Sequence, residues 1–185
     1  MKKKSLALFL AIAIVVVGVV AGTVAWLTDQ TAAVKNTFTT SDITIELTET
    51  TGENYKMIPG WNIAKDPKVT VKQGSEACYL FVKLQKSANF DTFMTYAMAD
   101  GWTVLPGTPG VYYREVAAAT ADTTFEVLQG NQVSVKSEVT KTQMNALTSD
   151  TYPTLTVTAY ASQSQKDAST NFTAAEAWAN IAPAP

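Results

Sequence analysis

The 185-residue sequence contains no histidine and only one cysteine, Cys78. The absence of histidine excludes a Ser-His-Asp triad, a Cys-His pair and an HExxH zinc site. A single cysteine excludes an intrachain disulfide and a cysteine-rich metal cluster. The classes that remain are structural proteins, binding proteins, and enzymes that work with carboxylates or with a Ser-Lys pair.

Charge and glycine are also scarce. Charged residues make up 16% of the chain, and 14 Lys and Arg residues stand against 16 Asp and Glu residues, so no nucleic-acid partner is expected. The nine glycines form neither a G-x-G-x-x-G loop nor a Walker loop. No EF-hand loop or Ser-x-x-Lys motif is present. The sequence therefore predicts no enzyme, no cofactor and no metal site, with a carboxylate-dependent hydrolase as the remaining enzymatic alternative.

The N-terminus has the pattern of an export signal. Residues 2–4 are lysines, and residues 6–25 form an uncharged, apolar run. The run ends with the small residues Thr23 and Ala25, which are suited to the −3 and −1 positions of a cleavage site. This predicts a signal peptide over residues 1–25, cleaved between Ala25 and Trp26, and a secreted protein. The alternative is an uncleaved membrane anchor, because twenty apolar residues are long enough to span a bilayer.

Most of the remaining chain has the period of β-strands. Residues 77–85 are the strongest case, because Cys78, Leu80, Val82 and Leu84 share one face while Tyr79 and Phe81 lie on the other. Apolar residues on both faces predict a central strand of a sandwich. Further strands are predicted over residues 43–48, 67–72, 102–105, 111–114, 124–128, 132–139 and 154–162.

Two helices interrupt this pattern. Phe90, Phe93, Met94, Ala97 and Met98 have helical spacing and predict an inserted helix over about residues 88–100, with Asn89 as its N-cap and Gly101 as its stop. Residues 174–181 predict a short C-terminal helix that docks Trp178. Residues 129–131 separate two strands and predict a β-hairpin. The expected fold is an all-β, antiparallel, jelly-roll-like sandwich over residues 39–185.

The single cysteine and four of the aspartates are expected to have structural rather than chemical roles. Cys78 lies on an apolar strand face, which favours an inert packing role over a reactive thiol. Four aspartates stand at predicted turns or helix starts, where carboxylates accept hydrogen bonds from backbone N–H groups: Asp29, Asp42, Asp66 and Asp91.

One functional alternative is a monomeric surface module that binds glycan or protein. Four aromatic residues would be its stacking platforms: Trp61, Trp102, Tyr112 and Tyr113.

The segment between the signal and the first strand, residues 26–38, carries apolar residues at intervals. They are Trp26, Leu27, Val34 and Phe38. Such a segment could add as a strand to the exposed sheet edge of a neighbouring copy, which builds filaments without catalysis. The alternative is that it pairs with its own sheet as an ordinary first strand.

The sequence GTVAWLTDQT, followed by VKNTFTTSDITIEL, resembles the N-terminus of the TasA/camelysin-like proteins. The residues that carry the resemblance are Thr23, Ala25, Trp26, Asp29, residues 36–38 and the strand at 43–47. Later blocks are also similar, namely IPGWNIAKDPKVTVKQGSEACYLFVKL, DGW, VYYRE, TVTAYASQ and AAEAWANI.

This resemblance implies a jelly-roll-like sandwich that a SipW-type signal peptidase processes during export. It also implies assembly into surface or biofilm-matrix fibres, in which the N-terminal segment of one subunit completes the sheet of the next. The partner is then the protein itself in a head-to-tail homopolymer, with residues 26–38 as the donor strand. An accessory or anchoring subunit of such a fibre is a further alternative. The metalloprotease activity described for some relatives is not carried over, because the chain lacks histidine and a recognisable zinc ligand set.

Overall fold

The structure is a computed structural model that describes residues 42–51 and 55–182. In these ranges ten strands form three antiparallel sheets, accompanied by a few short helices. The expected all-β sandwich with small helices is confirmed. The strands are β1 Ile45–Thr48, β2 Asn62–Ala64, β3 Lys68–Val71, β4 Cys78–Lys86, β5 Met94–Thr95, β6 Thr103–Val104, β7 Val111–Val116, β8 Thr123–Glu126, β9 Gln132–Val135 and β10 Leu155–Gln163.

The helical elements are short. The α-helices are α1 Phe90–Phe93, α2 Lys141–Asn145 and α3 Ala174–Ala179, and two 3₁₀ turns cover Gln129–Asn131 and Ser149–Thr151. Over the described ranges, no helix combines the length and the apolar composition needed to cross a membrane. The predicted signal peptide at residues 1–25 and the segment at residues 26–38 lie outside the described residues.

The largest sheet has the strand order β10-β4-β7-β6, and the two others have the orders β1-β3-β8 and β2-β9-β5. In the largest sheet Val82 of β4 stands opposite Ala159 of β10 on one side and opposite Tyr112 of β7 on the other. β4 is therefore an interior strand, as its two apolar faces predicted.

The two faces of β4 belong to two separate hydrophobic clusters. Cys78, Leu80, Val82 and Leu84 point to the inner face, where they join buried residues of the other two sheets such as Val71. This inner cluster is the main core, and residues of all three sheets contribute to it.

The outer cluster lies on the opposite face of β4. Tyr79 and Phe81 pack there with Trp178 of α3, and Phe81 and Trp178 have ring centroids 5.2 Å apart. The Tyr79 hydroxyl donates a hydrogen bond to the carbonyl of Phe172 at 2.9 Å, which fixes the chain just before α3. The predicted docking of Trp178 by a C-terminal helix is confirmed.

The inserted helix is present but is much shorter than the predicted span of residues 88–100. It ends at Phe93, because the next residue, Met94, is extended (φ −134°, ψ 162°) and begins β5, which pairs with β9. Phe90, Phe93 and Met94 are buried as predicted, but a single turn followed by a strand achieves this. Asn89 occupies the N-cap position without a capping hydrogen bond, since its Oδ1 accepts from Ser87 Oγ at 2.8 Å.

The hairpin predicted around residues 129–131 does not form. β8 pairs with β3, whereas β9 pairs with β2 and β5, so the chain crosses from one sheet to another at this turn. Gly130 and Asn131 both have positive φ (63° and 53°), and together they redirect the chain within three residues. Sequence spacing alone does not distinguish this crossing from a hairpin.

Candidate functional site

The candidate site for self-association is the open edge of the largest sheet. β10 is nine residues long and ends the strand order β10-β4-β7-β6, so only β4 pairs with it in the described part of the chain. At roughly 3.3 Å per residue this edge is about 30 Å long. It is the longest strand edge that the described residues offer.

The hydrogen-bond pattern fixes which backbone groups face outwards. Ser164 N donates to Ala77 O, and Ser87 N donates to Thr154 O, both at 3.0 Å. In an antiparallel ladder alternate residues bond to the same neighbour, so the even-numbered residues of β10 face β4. The N–H and C=O groups that point away from β4 belong to Leu155, Val157, Ala159, Ala161 and Gln163.

β10 differs from the other sheet edges in length and charge, although β1 lies close to it. Its sequence, LTVTAYASQ, contains no charge, no proline and no glycine. The edge strand β1 carries Glu46, which forms an ion pair with Lys72, and β8 carries Glu126. The edge strands β2, β5 and β6 have only two or three residues. Short length and charge are common protections against edge-to-edge pairing, and β10 has neither.

The side chains of β10 are half-covered. From Val157 to Ala161 every residue has intermediate exposure, although the alternate residues point to opposite faces. The inward-pointing residues pack against the inner cluster, while Tyr160 packs edge-on against Trp178 with centroids 5.3 Å apart. A strand added beside β10 would extend both faces and cover these residues further.

The residues predicted to act in processing and assembly lie outside the described residues. These are Ala25 and Trp26 at the cleavage site, and Trp26, Leu27, Val34 and Phe38 in the proposed donor segment. Among the described residues, the structure therefore shows a sheet edge but not the segment expected to pair with it.

The four candidate stacking aromatics do not share one surface. Tyr112 and Tyr113 are neighbours on β7 and pack on the inner and outer clusters respectively. Trp102 is half-buried and donates its indole N–H to the Glu126 carbonyl at 2.8 Å. Trp61 is 62% exposed and precedes β2 in a different sheet. The four rings therefore do not form one continuous surface, and Trp61 is the most exposed of them.

Cys78 has the buried packing position that the sequence predicted. It has no exposed surface and belongs to the inner cluster. Burial raises the pKa of its thiol to about 11, because an apolar environment disfavours the thiolate. A thiol with this pKa is a poor nucleophile at neutral pH.

Asp42 and Asp66 accept backbone N–H groups as predicted. Asp42 accepts from Ile43 N at 2.8 Å, and Asp66 accepts from Thr50 N at 2.9 Å and from Thr51 N at 3.1 Å. The hydroxyl of Thr50, which donates to Asp66 Oδ2 at 2.6 Å, contributes most to lowering the pKa of Asp66 well below its usual range.

The other two aspartates do not extend this pattern. The carboxylate of Asp91 accepts from Lys86 Nζ at 2.6 Å, and Asp29 lies outside the described residues. Among the described residues, no three His, Cys, Asp or Glu side chains form a group that could hold a metal.

Sequence reasoning missed Arg114 on β7. Its guanidinium carbon lies 3.9 Å from the ring centroid of Phe125 and 5.3 Å from that of Trp102, beside a cavity. The available signal was composition, because Arg114 is the only arginine in the chain and lies within the aromatic strand VYYREV.

Comparison of the chain with known proteins finds no matching family model, no matching curated protein and no matching solved structure.

Proposed function

We propose that this protein is a secreted structural subunit that assembles head to tail into extracellular fibres, in the manner of the TasA/camelysin-like proteins that its sequence resembles. Residues 26–38 of one subunit would add as a strand to the β10 edge of the next. The observation that carries the proposal is the nine-residue β10 edge, which is uncharged and has outward-pointing backbone groups at five positions.

The donor segment matches this edge in length and pattern. Its 13 residues would span about 43 Å when extended, more than the roughly 30 Å of β10. Val34 and Phe38 are four residues apart and fall on the same face of a strand. Backbone hydrogen bonds would supply affinity, while the pockets for these two side chains would fix the register.

The geometry of donation determines the type of assembly. A donor segment and an acceptor edge are different surfaces, so the contact is heterologous and leaves a free donor at one end and a free edge at the other. Such a contact propagates into a filament. Cleavage between Ala25 and Trp26 by a SipW-type signal peptidase would release the donor from the membrane and restrict assembly to the outside of the cell.

The first test compares two forms of the chain. A form that starts at Trp26 is expected to form filaments in negative-stain images, and a form that starts at Thr39 is expected to remain monomeric. A synthetic peptide of residues 26–38 should bind the shorter form and raise its melting temperature, because ligand binding to the folded state stabilises it. Polymerisation of both forms to the same extent would show that residues 26–38 are an ordinary first strand.

The second test removes one hydrogen-bond donor from the edge. Ala159→Pro deletes an outward-pointing N–H and leaves the β4 ladder intact, so it should reduce polymerisation while the folded monomer remains. Leu47→Pro is the matched control, because Leu47 N–H points outwards from β1. Equal loss of filaments in both variants would contradict the choice of the β10 edge.

The two alternatives predict different images. A monomeric surface module would remain monodisperse with residues 26–38 present. An accessory or anchoring subunit would form no filaments alone but would appear on filaments of a co-secreted major subunit. N-terminal sequencing of the extracellular protein should read Trp-Leu-Thr-Asp, whereas recovery of an intact Met1 product from membranes would contradict secretion.

A further inference from the structure

A cavity of about 410 Å³ opens between β7, β8 and the 3₁₀ turn at Gln129–Asn131. Its lining includes Arg114, Asp100, Glu126, Thr124, Gln129 and Gly130. Ligand pockets run from about 300 to 1,000 Å³, so this cavity is at the small end of that range and fits a ligand of about one ring. It lies beside β7 and β8, whereas the proposed assembly edge is β10.

Arg114 is the cation in this cavity, and among the described residues it has no ion pair and no side-chain hydrogen bond. None of the ion pairs among the described residues includes it. Its Nε is buried without a hydrogen-bond acceptor. Loss of hydration lowers the pKa of the guanidinium, although the adjacent faces of Phe125 and Trp102 provide partial compensation through cation–π contacts. A buried donor of this kind is unusual, and it marks Arg114 as a cation whose charge is not neutralised by an ion pair among the described residues.

The surrounding backbone makes room for this guanidinium. Gly101 has a φ of +86°, and a Cβ at this position would lie 2.7 Å from Arg114 Nη2. A side chain at this position would displace the guanidinium. Glycine is therefore required both for the positive φ of the turn and for the close approach of Arg114. Gly101 and the two aromatic rings therefore fix the position of the guanidinium in the absence of a ligand.

The other charged groups in the cavity are acceptors. Asp100 and Glu126 line it, and Glu126 Oε1 accepts from Asn131 Nδ2 at 2.7 Å. One carboxylate of a ligand suits Arg114, because a guanidinium binds a carboxylate through two parallel hydrogen bonds. Ligand hydroxyl groups suit the two acidic side chains, which repel a dianion such as phosphate more strongly than a monocarboxylate.

We propose that this cavity is a binding site for a hydroxylated monocarboxylate of single-sugar size, such as a hexuronic acid. Arg114 binds the ligand carboxylate, and Asp100 and Glu126 accept hydrogen bonds from ligand hydroxyls. The carboxylate could belong to a free sugar acid or to one unit of an acidic oligosaccharide. The proposal does not depend on fibre assembly.

The test is calorimetric titration of the purified full chain, held in a detergent without a sugar headgroup. The probes are glucuronate, glucose, acetate and inorganic phosphate. Glucuronate should bind about 10- to 100-fold more tightly than glucose, which lacks the carboxylate, as expected for the loss of charge-assisted hydrogen bonds. Acetate, which lacks the hydroxyls, and phosphate should also bind more weakly. Equal binding of glucuronate and glucose, or no binding of glucuronate, would overturn the proposal.

Variants assign the binding to this cavity. Arg114→Gln should abolish the preference for glucuronate over glucose, and Arg114→Lys should restore part of it. If Arg114→Gln does not fold, Gln129→Ala provides a second test, since Gln129 is exposed and its loss should weaken glucuronate binding several-fold. Lys86→Gln is the control, because Lys86 pairs with Asp91 away from the cavity lining. Unchanged glucuronate binding in the Arg114 variants would overturn the assignment.

The source of the carboxylate is distinguished with a matched oligosaccharide. A glucuronate-containing disaccharide that binds more tightly than glucuronate itself would assign the site to an acidic polysaccharide. Equal or weaker binding of the disaccharide would assign it to a free sugar acid. Failure of all of these titrations would leave the filament experiments unaffected, because those depend on residues 26–38 and β10.

Discussion

The two faces of β4 are both buried, but different parts of the molecule cover them. The inner face packs against residues of the other two sheets, which reach it from many positions along the chain. The outer face is covered mainly by α3, a six-residue helix near the C-terminus, through Trp178. Burial of the inner face therefore depends on the whole fold, whereas burial of the outer face depends on one local element.

That local element is held in place by its cap. Thr173 Oγ1 accepts from Glu176 N at 3.2 Å, and Glu176 Oε2 accepts from Thr173 N at 2.8 Å, which forms a capping box. Lys166 Nζ lies 3.0 Å from Glu176 Oε1. The outer face should therefore become exposed before the sheets separate.

The largest effect is expected from truncation of the buried side chains of β4. Phe81→Ala on the outer face should cost about 3–5 kcal/mol, and Leu80→Ala on the inner face about 2–5 kcal/mol, because each leaves a cavity. Urea unfolding of both variants measures these costs. A cost for Phe81→Ala below that of an ordinary surface substitution would show that the outer cluster is not part of the core.

Removal of the Trp178 side chain, which covers the outer face of β4, is expected to have a smaller and more local effect on stability. Trp178→Ala should cost about 3 kcal/mol and should increase binding of a hydrophobic dye, while the far-ultraviolet signal of the sheets remains. The control is Trp61→Ala, since Trp61 is exposed and should change neither property. Loss of the sheet signal in Trp178→Ala would remove the distinction between the two faces.

Cys78→Ser tests the inner face with a change of a single atom. We expect a cost of about 1–3 kcal/mol, because the hydroxyl is buried on an apolar face with few partners. Secretion and assembly should remain intact. Rapid labelling of the native thiol would contradict its burial, and loss of filaments in a folded Ser variant would indicate an intermolecular disulfide.

The smallest effect is expected from Glu176→Gln, which keeps the shape of the cap and removes its charge. The backbone hydrogen bond from Thr173, followed by the bond from Lys166, lowers the pKa of Glu176 from 4.5 to about 2. Because the folded-state pKa is lowered, the stabilisation is present above pH 4.5 and is lost as pH falls towards 2. The urea midpoints of the native and variant proteins should differ at pH 7 and converge near pH 2, whereas an equal difference at both values would contradict this role.

Short sequence patterns predicted the parts of the fold that are determined by residues close together in the chain. The alternation of Cys78, Leu80, Val82 and Leu84 with Tyr79 and Phe81 correctly predicted an interior strand with two apolar faces. It did not indicate which element covers each face, because the partners come from distant parts of the chain. The helix predicted over residues 88–100 is too long for a similar reason. Met94 pairs with Val135 in a strand, although the apolar residues around Met94 have helical spacing.

Prediction of the candidate sites from the sequence is limited in the same way. The alternation of residues 154–162 predicted β10, but only the sheet order identifies it as an edge. Arg114 was visible as the sole arginine, whereas its position between two aromatic rings and the absence of an ion pair to it among the described residues depend on how β7 meets β8. Such properties arise from the packing of distant segments, which spacing along one sequence does not encode.

The pairing of β10 with β4 has a kinetic consequence. The residues that it joins are 69 to 85 positions apart in the chain, so this ladder has a high contact order. Closing so long a loop costs entropy before the contacts form, which makes such ladders slow to fold. A chain that emerges N-terminus first would expose residues 26–38, the proposed donor segment, well before residues 155–163 of the same subunit. Each subunit would thus offer its β10 edge to a neighbour only after its own chain is complete.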